Sequence, residues 1–324
     1  MASSTPKCAN PTCKTAPGPE ELPKCSRCQT VPYCSRKCQI SDWPSHKSIC
    51  LRPNYIIEFQ LHPDQITDPP VVRTLSCPSH RTFYALHLAL QTAFKWAATH
   101  SFDFTVANPD YVADTDDGVD DLTRIVQERM AITQNGEQPA SSPRKYLLRI
   151  IDPASSGRCV GDDHMHEGKR KHPQTVERES ENLKLWQVFE NTCYRDKKIV
   201  YTYDFGDNWE HFLTVKGRAP PTINFECVGG SGHYVAEDVG GFRGWGKLKA
   251  AYRTSRPDRK QRAKREWFQS VCGNADPQGL AGDRVNLFDK DQTTRDLAEM
   301  LDSFERVFGE ALRRQEELKD LPWN

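Results

Sequence analysis

The feature that most constrains this chain is a concentration of metal-binding side chains near its start. Of its twelve cysteines, seven lie within residues 8–50, and one histidine lies among them. These eight side chains fall into four closely spaced pairs: Cys8 with Cys13, Cys25 with Cys28, Cys34 with Cys38, and His46 with Cys50. Structural zinc takes four tetrahedral sulfur or nitrogen ligands, and a short spacing lets one turn supply two of them. The eight ligands therefore predict two closed zinc sites.

We also expect this segment to need zinc in order to fold. It is too short and too polar to fold by apolar burial alone, so zinc must supply about 10 kcal/mol or more per site. The other five cysteines are scattered singly at positions 77, 159, 193, 227 and 272, whereas a secreted disulfide framework would be spread more evenly. A redox role for Cys25-x-x-Cys28 is disfavoured because no βαβ pattern surrounds it.

The order and spacing of these ligands resemble the MYND-type zinc finger. The most telling runs are Tyr33-Cys34-Ser-Arg-Lys-Cys38-Gln39 and Asp42-Trp43-Pro44-x-His46-Lys47-x-x-Cys50. The resemblance implies interleaved sites, with one zinc on Cys8, Cys13, Cys34 and Cys38 and the other on Cys25, Cys28, His46 and Cys50. The first pair departs from the family pattern, since four residues separate its cysteines where two are usual.

The same resemblance implies a protein partner. MYND fingers are interaction modules that take short proline-containing peptides, and Gln39 and Trp43 match the helix that forms their peptide groove. The alternative is that Trp43 only packs the small core of the finger. The sequence lacks the Asn-His-Ser/Cys motif of the SET methyltransferases that often accompany such fingers.

Charge and hydropathy exclude several further classes of function. Lys+Arg and Asp+Glu both number 44, so only a local patch could bind nucleic acid. The basic runs at 169–171 and 253–265 have few interleaved aromatics, and we expect solvated faces there and no nucleic-acid partner. There is no run of about 18 apolar residues and no apolar leader. We therefore expect no membrane association and an intracellular location, in the cytoplasm or the nucleus.

We place the domain boundary after residue 52 and expect residues 53–324 to form one α+β domain. Alternating or apolar runs predict strands at Tyr55–Leu61, Val71–Leu75, Phe102–Val106 and a central Lys145–Ile151. Helical spacing predicts helices at Phe83–Ala98 with Thr82 as the cap, around Leu183–Cys193, after Trp245, and at Thr294–Lys319. Residues 108–178 are polar and are expected to be a solvated insertion.

A β-hairpin is predicted from two alternating runs around a short turn. Lys198–Asp204 and Trp209–Lys216 flank Phe205-Gly-Asp-Asn208. Glycine-rich loops are expected at 227–232 and 237–241, and neither has the Gly-Lys-Ser/Thr ending of a phosphate loop.

Several separated runs resemble the plasmid pRiA4b ORF-3-like family. The specific one is Tyr201-x-Tyr-Asp-Phe-Gly-Asp-x-Trp-x-His211. The others are Leu86-His87, Gln91-x-Ala-Phe-x-Trp96, Glu237-Asp-x-Gly-Gly241 and Phe288-Asp289. The resemblance implies a mixed or antiparallel sheet with packing helices and names no settled activity. Ala236 replaces a proline common in the family, and the insertion at 108–178 is a second departure.

The hairpin offers a second candidate site. Asp204, Asp207, Glu210 and His211 could gather with Glu237 and Asp238, where carboxylates beside a histidine can perform acid–base chemistry or hold a metal. The alternative is that the aspartates cap the turn and His211 is a hydrogen-bonded core residue. The acidic stretch 110–121 and the His164/His166 pair are expected to be solvated. Taken together, the sequence predicts a zinc-binding adaptor protein and not an enzyme.

Overall fold

An eight-stranded sheet forms the larger part of the computed structural model, which describes residues 7–14, 22–111, 144–152, 170–172, 174–300 and Ser303. The strands are β1 (Asn54–Leu61), β2 (Val71–Cys77), β3 (Phe102–Ala107), β4 (Tyr146–Ile151), β5 (Val176–Glu179), β6 (Ile199–Tyr203), β7 (Trp209–Ala219) and β8 (Glu226–Ser231). The helices are α1 (Arg36–His46), α2 (Phe83–Phe94), α3 (Leu185–Phe189), α4 (Gly241–Arg253) and α5 (Arg259–Ser270), with a 3₁₀ turn at Gly282–Asn286 and further helical residues at 290–300.

The sheet is mixed, with the strand order β5-β4-β3-β6-β7-β1-β2-β8. Neighbouring strands are antiparallel except β4 and β5, which run parallel. With the helices that pack on this sheet, the chain has the predicted α+β fold. No helix in the described part of the chain is both long and apolar enough to cross a membrane.

The core of the sheet follows from side-chain alternation and from α2. On β1, the alternate residues Ile57, Phe59 and Leu61 are fully buried, as a strand with one face on the core requires. Helix α2 buries nine of its twelve residues, because it lies between the sheet and other elements. As predicted, Thr82 caps its start, with the side chain accepting a hydrogen bond from Ala85 N.

Helix α2 ends four residues earlier than the apolar spacing predicted. Lys95 takes a left-handed conformation (φ 55°), and Ala98 does the same (φ 56°). The residues after Phe94 therefore form a turn that carries Trp96 inward and places His100 beside the hairpin. The prediction of a helix to Ala98 was wrong, and the early end of α2 decides where His100 lies.

Other differences lie at the edges of the sheet. Residues 227–231, predicted as a glycine-rich loop, belong to β8, where Gly230 lies against Phe288 so closely that a Cβ would come within 2.6 Å of its ring. Strand β4 is next to the short edge strand β5 and is not central, and β5 lies in a stretch predicted to be loop.

Helix α3 is only five residues long. The predictions for residues 112–143, for His164 and His166, and for the helix beyond residue 300 fall outside the described residues.

An unexpected buried ion cluster ties β3 to β4. Asp103 is fully buried, and its carboxylate accepts hydrogen bonds from Arg149 Nε at 2.7 Å and from Arg170 Nε and Nη2 at 2.7 Å each. Burial alone would raise the pKa of Asp103, but the Arg170 and Arg149 guanidiniums outweigh it and hold that pKa below its usual value of 3.8. The negative charge is therefore part of the folded structure.

We expect Asp103→Asn to lower the free energy of unfolding by about 3 kcal/mol at pH 7, because it removes the carboxylate that pairs with Arg170 and leaves Arg149 with Glu177 as its remaining partner. Because its folded-state pKa is depressed, the Asp103 charge stabilises the fold above pH 4 and loses this effect as the pH falls through the folded-state pKa. Urea denaturation of both proteins between pH 7 and pH 3 should show the difference shrinking at the acid end. A difference that is constant with pH would contradict the role of the charge.

Candidate functional site

The cysteine-rich segment brings its eight metal-binding side chains together in two clusters. Cys8, Cys13, Cys34 and Cys38 form one, and Cys25, Cys28, His46 and Cys50 form the other. Within each cluster, the ligand atoms all lie within 4.8 Å of one another. The clusters are interleaved along the chain, as the resemblance implied, so each of them links distant parts of the finger.

The atoms in these clusters are spaced as zinc requires. A tetrahedral zinc with bonds of about 2.3 Å to sulfur and 2.0 Å to nitrogen separates two sulfurs by about 3.8 Å, and a sulfur from a nitrogen by about 3.5 Å. The distance from Cys25 Sγ to Cys50 Sγ is 3.8 Å, and that from Cys28 Sγ to His46 Nε2 is 3.6 Å. Both clusters fit one zinc ion each.

Local hydrogen bonds hold the ligands in place. Ser35 caps α1 by accepting a hydrogen bond from Cys38 N at 3.3 Å, which fixes the helical turn between Cys34 and Cys38. The longer spacing between Cys8 and Cys13 is accommodated by a turn, in which Cys13 N donates a hydrogen bond to Asn10 O at 3.0 Å. The departure from the usual spacing thus leaves both cysteines of the pair in the site.

A groove of about 630 Å³ runs along the outer face of α1. Pro23, Ile40 and Trp43 supply its apolar surface, and Gln39 lies beside them, with its amide donating to Cys25 Sγ at 3.3 Å. The Ile40 side chain is prominent here, since the residue is 63% exposed. Trp43 packs edge-on against His46, with ring centroids 5.9 Å apart, and also lines the groove. It therefore belongs both to the packing of the finger and to the wall of the groove.

The rim of the groove is basic. Lys24, Arg27 and Arg36 line it, and none of these side chains forms an ion pair with another described residue. The Arg27 guanidinium lies 5.9 Å from the centre of the Trp43 ring, within the range of a cation–π interaction. The groove thus combines an apolar surface with three positive charges.

The hairpin is formed as predicted, and its turn depends on Asp204. The Asp204 carboxylate accepts hydrogen bonds from Gly206 N at 2.9 Å and Asp207 N at 3.2 Å, so it does cap the turn. Asp207 accepts a hydrogen bond from Gly240 N at 3.0 Å through its own carboxylate. This contact docks the hairpin turn on the loop that precedes α4.

His211 is a core residue and does not meet the carboxylates. It is fully buried, with Nε2 accepting a hydrogen bond from Trp96 Nε1 at 3.3 Å and Nδ1 facing Trp209 O at 3.1 Å. Burial lowers the pKa of His211 to about 3, so the imidazole is neutral near pH 7. The hypothesis that His211 belongs to a site with these aspartates is therefore wrong, because both ring nitrogens are used inside the core.

The structure gathers three of the six candidate residues around a different histidine. His100 Nε2 lies 3.1 Å from Asp238 Oδ1, 3.8 Å from Glu237 Oε1 and 3.9 Å from Asp204 Oδ2. Glu210 does not belong to this cluster. Strand alternation places it on the face of β7 opposite His211. His100 had no recognisable pattern in the sequence, since it lies in the turn created by the early end of α2.

Comparisons with known proteins agree with this two-part architecture. The sequence profile described as "Plasmid pRiA4b ORF-3-like protein" matches residues 55–283, and that of the MYND finger matches residues 8–50. The chain therefore belongs to the plasmid pRiA4b ORF-3-like family and carries a MYND finger ahead of that domain.

Similarity to individual proteins is local. The finger is 59% identical over 29 residues to the zinc finger MYND domain-containing protein 10 homolog of Drosophila melanogaster, covering 9% of this chain and 6% of that protein. It is 52% identical over 33 residues to the human histone-lysine N-methyltransferase SMYD3, covering 10% and 8%. A further match is 33% identical over 95 residues to the uncharacterized protein y4hQ of Sinorhizobium fredii, covering 28% and 45%. The chain thus spans less than half the length of each of these relatives.

A solved structure also resembles this chain. It is a protein of unknown function from Methanosarcina mazei, which is 20% identical and aligns with a TM-score of 0.45 over 74% of this chain and 96% of its own length.

Proposed function

We propose that this chain is a zinc-dependent adaptor whose finger binds a short proline-containing peptide of a partner protein. The observation that carries the proposal is the groove along α1, with its apolar surface and basic rim. A proline ring is rigid and apolar, so it can pack on the Trp43 indole and on Ile40 at little entropic cost. The three rim cations favour a peptide with acidic residues beside its prolines.

A binding role for the finger, and not a catalytic one, fits its metal chemistry. Catalytic zinc keeps an open position for water or substrate, whereas a structural zinc site is closed by four protein ligands. Each cluster of the finger supplies four ligands. We therefore propose that zinc supports the shape of the groove and takes no part in chemistry. Reduced thiolate ligands also fit an intracellular location, in the cytoplasm or the nucleus.

The groove can be tested with two exposed isoleucines of the same finger. Ile40 lies in the groove, whereas Ile49 is 71% exposed and does not line it. We expect Ile40→Asp to weaken peptide binding at least tenfold, because it places a carboxylate on the apolar surface; tenfold corresponds to about 1.4 kcal/mol. Ile49→Asp should leave the affinity within about twofold. The measurement is fluorescence anisotropy of the full chain with labelled synthetic peptides that carry a proline-rich core.

Peptides with the same core and either aspartate or lysine flanks test the basic rim. We expect tighter binding of the aspartate-flanked peptide and a loss of this preference at high salt, since surface charges are screened. As a control, the Ile40→Asp and Ile49→Asp variants must each keep two zinc ions. Equal losses for Ile40→Asp and Ile49→Asp, or no binding by any proline-rich peptide, would refute the groove as the binding site.

A further inference from the structure

A cavity of about 290 Å³ lies in the sheet domain and takes no part in the proposed adaptor function. Its lining includes residues of β2, the end of α2 and the segment 287–293. Ala93, Leu287 and Phe288 give it an apolar wall, and Arg73 lies among them. Ligand sites in proteins enclose about 300–1,000 Å³. The cavity is therefore large enough for a small molecule.

Arg73 brings a positive charge to this cavity without an acidic partner. The residue is only 2% exposed, and it forms an ion pair with no Asp or Glu of the described residues. Burial lowers the pKa of Arg73 to about 10, so the guanidinium is still protonated near pH 7. The neighbouring Cys227 thiol supplies no counter-charge, because burial raises its pKa and keeps it neutral. A buried charge is costly unless it is paired.

Backbone carbonyls use three of the five N–H groups of this guanidinium. Nε donates to Ala93 O at 2.8 Å, and Nη1 donates to Val72 O at 2.7 Å and to Ser231 O at 2.8 Å. The N–H groups of Nη2 have no acceptor in the described part of the chain, yet Nη2 is not among the polar atoms sealed inside the core. These two N–H groups are thus available to an acceptor that enters the cavity.

Aromatic packing holds the guanidinium in place. Its central carbon lies 4.2 Å from the centre of the Phe288 ring and 5.3 Å from that of Phe94, within the range of a cation–π interaction. Phe288 can come this close because Gly230 has no side chain, and a Cβ there would lie 2.6 Å from the ring. A donor that is already fixed loses little conformational entropy when a ligand binds.

The other charged groups of the cavity offset one another. Asp276 accepts hydrogen bonds from Arg284 Nη2 at 2.6 Å and from His233 Nε2 at 2.9 Å. Burial lowers the pKa of His233 below its usual value of 6.5, so this imidazole is neutral near pH 7. Lys95 and Asp289 line the cavity as exposed residues of opposite charge. One buried positive charge is therefore left without compensation.

We propose that this cavity binds one small organic carboxylate, which accepts hydrogen bonds from Arg73 Nη2 and packs its apolar part on Leu287 and Phe288. The charge balance favours a carboxylate over a phosphate. A carboxylate carries a single negative charge, which matches the one uncompensated cation, whereas a phosphate monoester carries about −1.5 to −2 near pH 7. Hydrogen bonds between charged groups are also the stronger ones, so the anion should dominate recognition.

The test uses the full chain with both zinc ions in place and benzoate as the probe, because benzoate joins a carboxylate to a compact apolar ring. Isothermal titration calorimetry should show one benzoate bound per chain. Benzamide has nearly the same shape without the charge, and it should bind about tenfold more weakly or worse. Inorganic phosphate should also bind more weakly than benzoate. Benzoate should raise the melting temperature of the sheet domain, since it binds the folded state.

Two exposed apolar residues outside the helices and strands form a matched pair of variants. Leu287 lines the cavity and is 52% exposed, whereas Ile223 is 63% exposed and does not line it. We expect Leu287→Asp to weaken benzoate binding about tenfold or more, because it places a second negative charge beside the ligand. Ile223→Asp should leave the affinity within about twofold. Both variants should bind peptides like the unaltered chain, so this test is independent of the finger.

Arg73→Met removes the charge itself and should abolish benzoate binding. Because Arg73 is buried, circular dichroism must first show that this variant is folded. Leu287→Asp changes an exposed side chain, so it tests the cavity without altering the core.

Three results would overturn the site: no benzoate binding at millimolar concentration, equal affinity for benzoate and benzamide, or equal losses in Leu287→Asp and Ile223→Asp. The second would show that the charge of Arg73 is not what the ligand meets. Tighter binding of inorganic phosphate than of benzoate would show that the anion is not a carboxylate and would also count against the proposal.

Discussion

Replacement of Cys28 by alanine is expected to unfold the finger and to reduce bound zinc from two ions to at most one per chain. Cys28 is one of four ligands in a cluster with Cys25, His46 and Cys50, and the remaining three leave the site open. Zinc supplies about 10 kcal/mol or more of folding free energy per site. Because the clusters are interleaved along the chain, loss of one also loosens the turn that carries the other.

The sheet domain should remain folded in the same variant. The buried residues of the finger and those of the sheet domain form two separate apolar clusters with no residue in common. Native mass spectrometry will give the zinc stoichiometry, and limited proteolysis will show whether cleavage is confined to residues before 52. Cys193→Ala is the control, because Cys193 is exposed and lies outside the finger. A single transition in which both parts of Cys28→Ala are lost together would argue against separate cores.

Trp209→Ala is expected to lower the free energy of unfolding of the sheet domain by about 3–5 kcal/mol. Trp209 is fully buried, and its ring packs against Trp96 at a centroid distance of 5.4 Å and against His62 at 5.9 Å. Its removal leaves a cavity next to the hairpin turn, since a packed interior relaxes only partly. Chemical denaturation followed by far-ultraviolet circular dichroism will measure the change.

Two further variants separate packing from other causes. The Trp209 indole N–H has no hydrogen-bond partner among the residues that the structure describes, so Trp209→Phe removes volume and no hydrogen bond. It should cost clearly less than Trp209→Ala. Trp186→Ala should also cost less, because Trp186 is only partly buried at the edge of the core. A loss in Trp209→Phe as large as that in Trp209→Ala would mean that the indole N–H does have a role.

The finger and the sheet domain are expected to have different roles. The finger matches those of other proteins over 9% and 10% of this chain, so this similarity says nothing about the sheet domain. The sheet domain in turn belongs to the plasmid pRiA4b ORF-3-like family. We propose that the finger recruits a partner protein.

The sequence alone determined the features that depend on neighbouring residues. Both zinc clusters could be predicted because a tetrahedral site needs close pairs of ligands, and such pairs are visible as spacing. The hairpin was predictable for a similar reason: Phe205-Gly-Asp-Asn208 is a turn between two alternating runs, and alternation fixes which side chains share a face. The same alternation placed Trp209 and His211 together on the buried face.

Only the tertiary structure decided which distant residues meet. His100 reaches Asp204 and Asp238 because α2 ends at Phe94 and the chain turns at Lys95 and Ala98, a backbone choice that apolar spacing does not encode. His211 seemed the partner of the aspartates because it is close to them in sequence, yet strand geometry directs it into the core. Likewise, β8 is a strand because β2 offers it a free edge, although its own glycines favour a loop. Local spacing thus fixed the zinc clusters, whereas packing over more than a hundred residues of chain brought His100 close to Asp204 and Asp238.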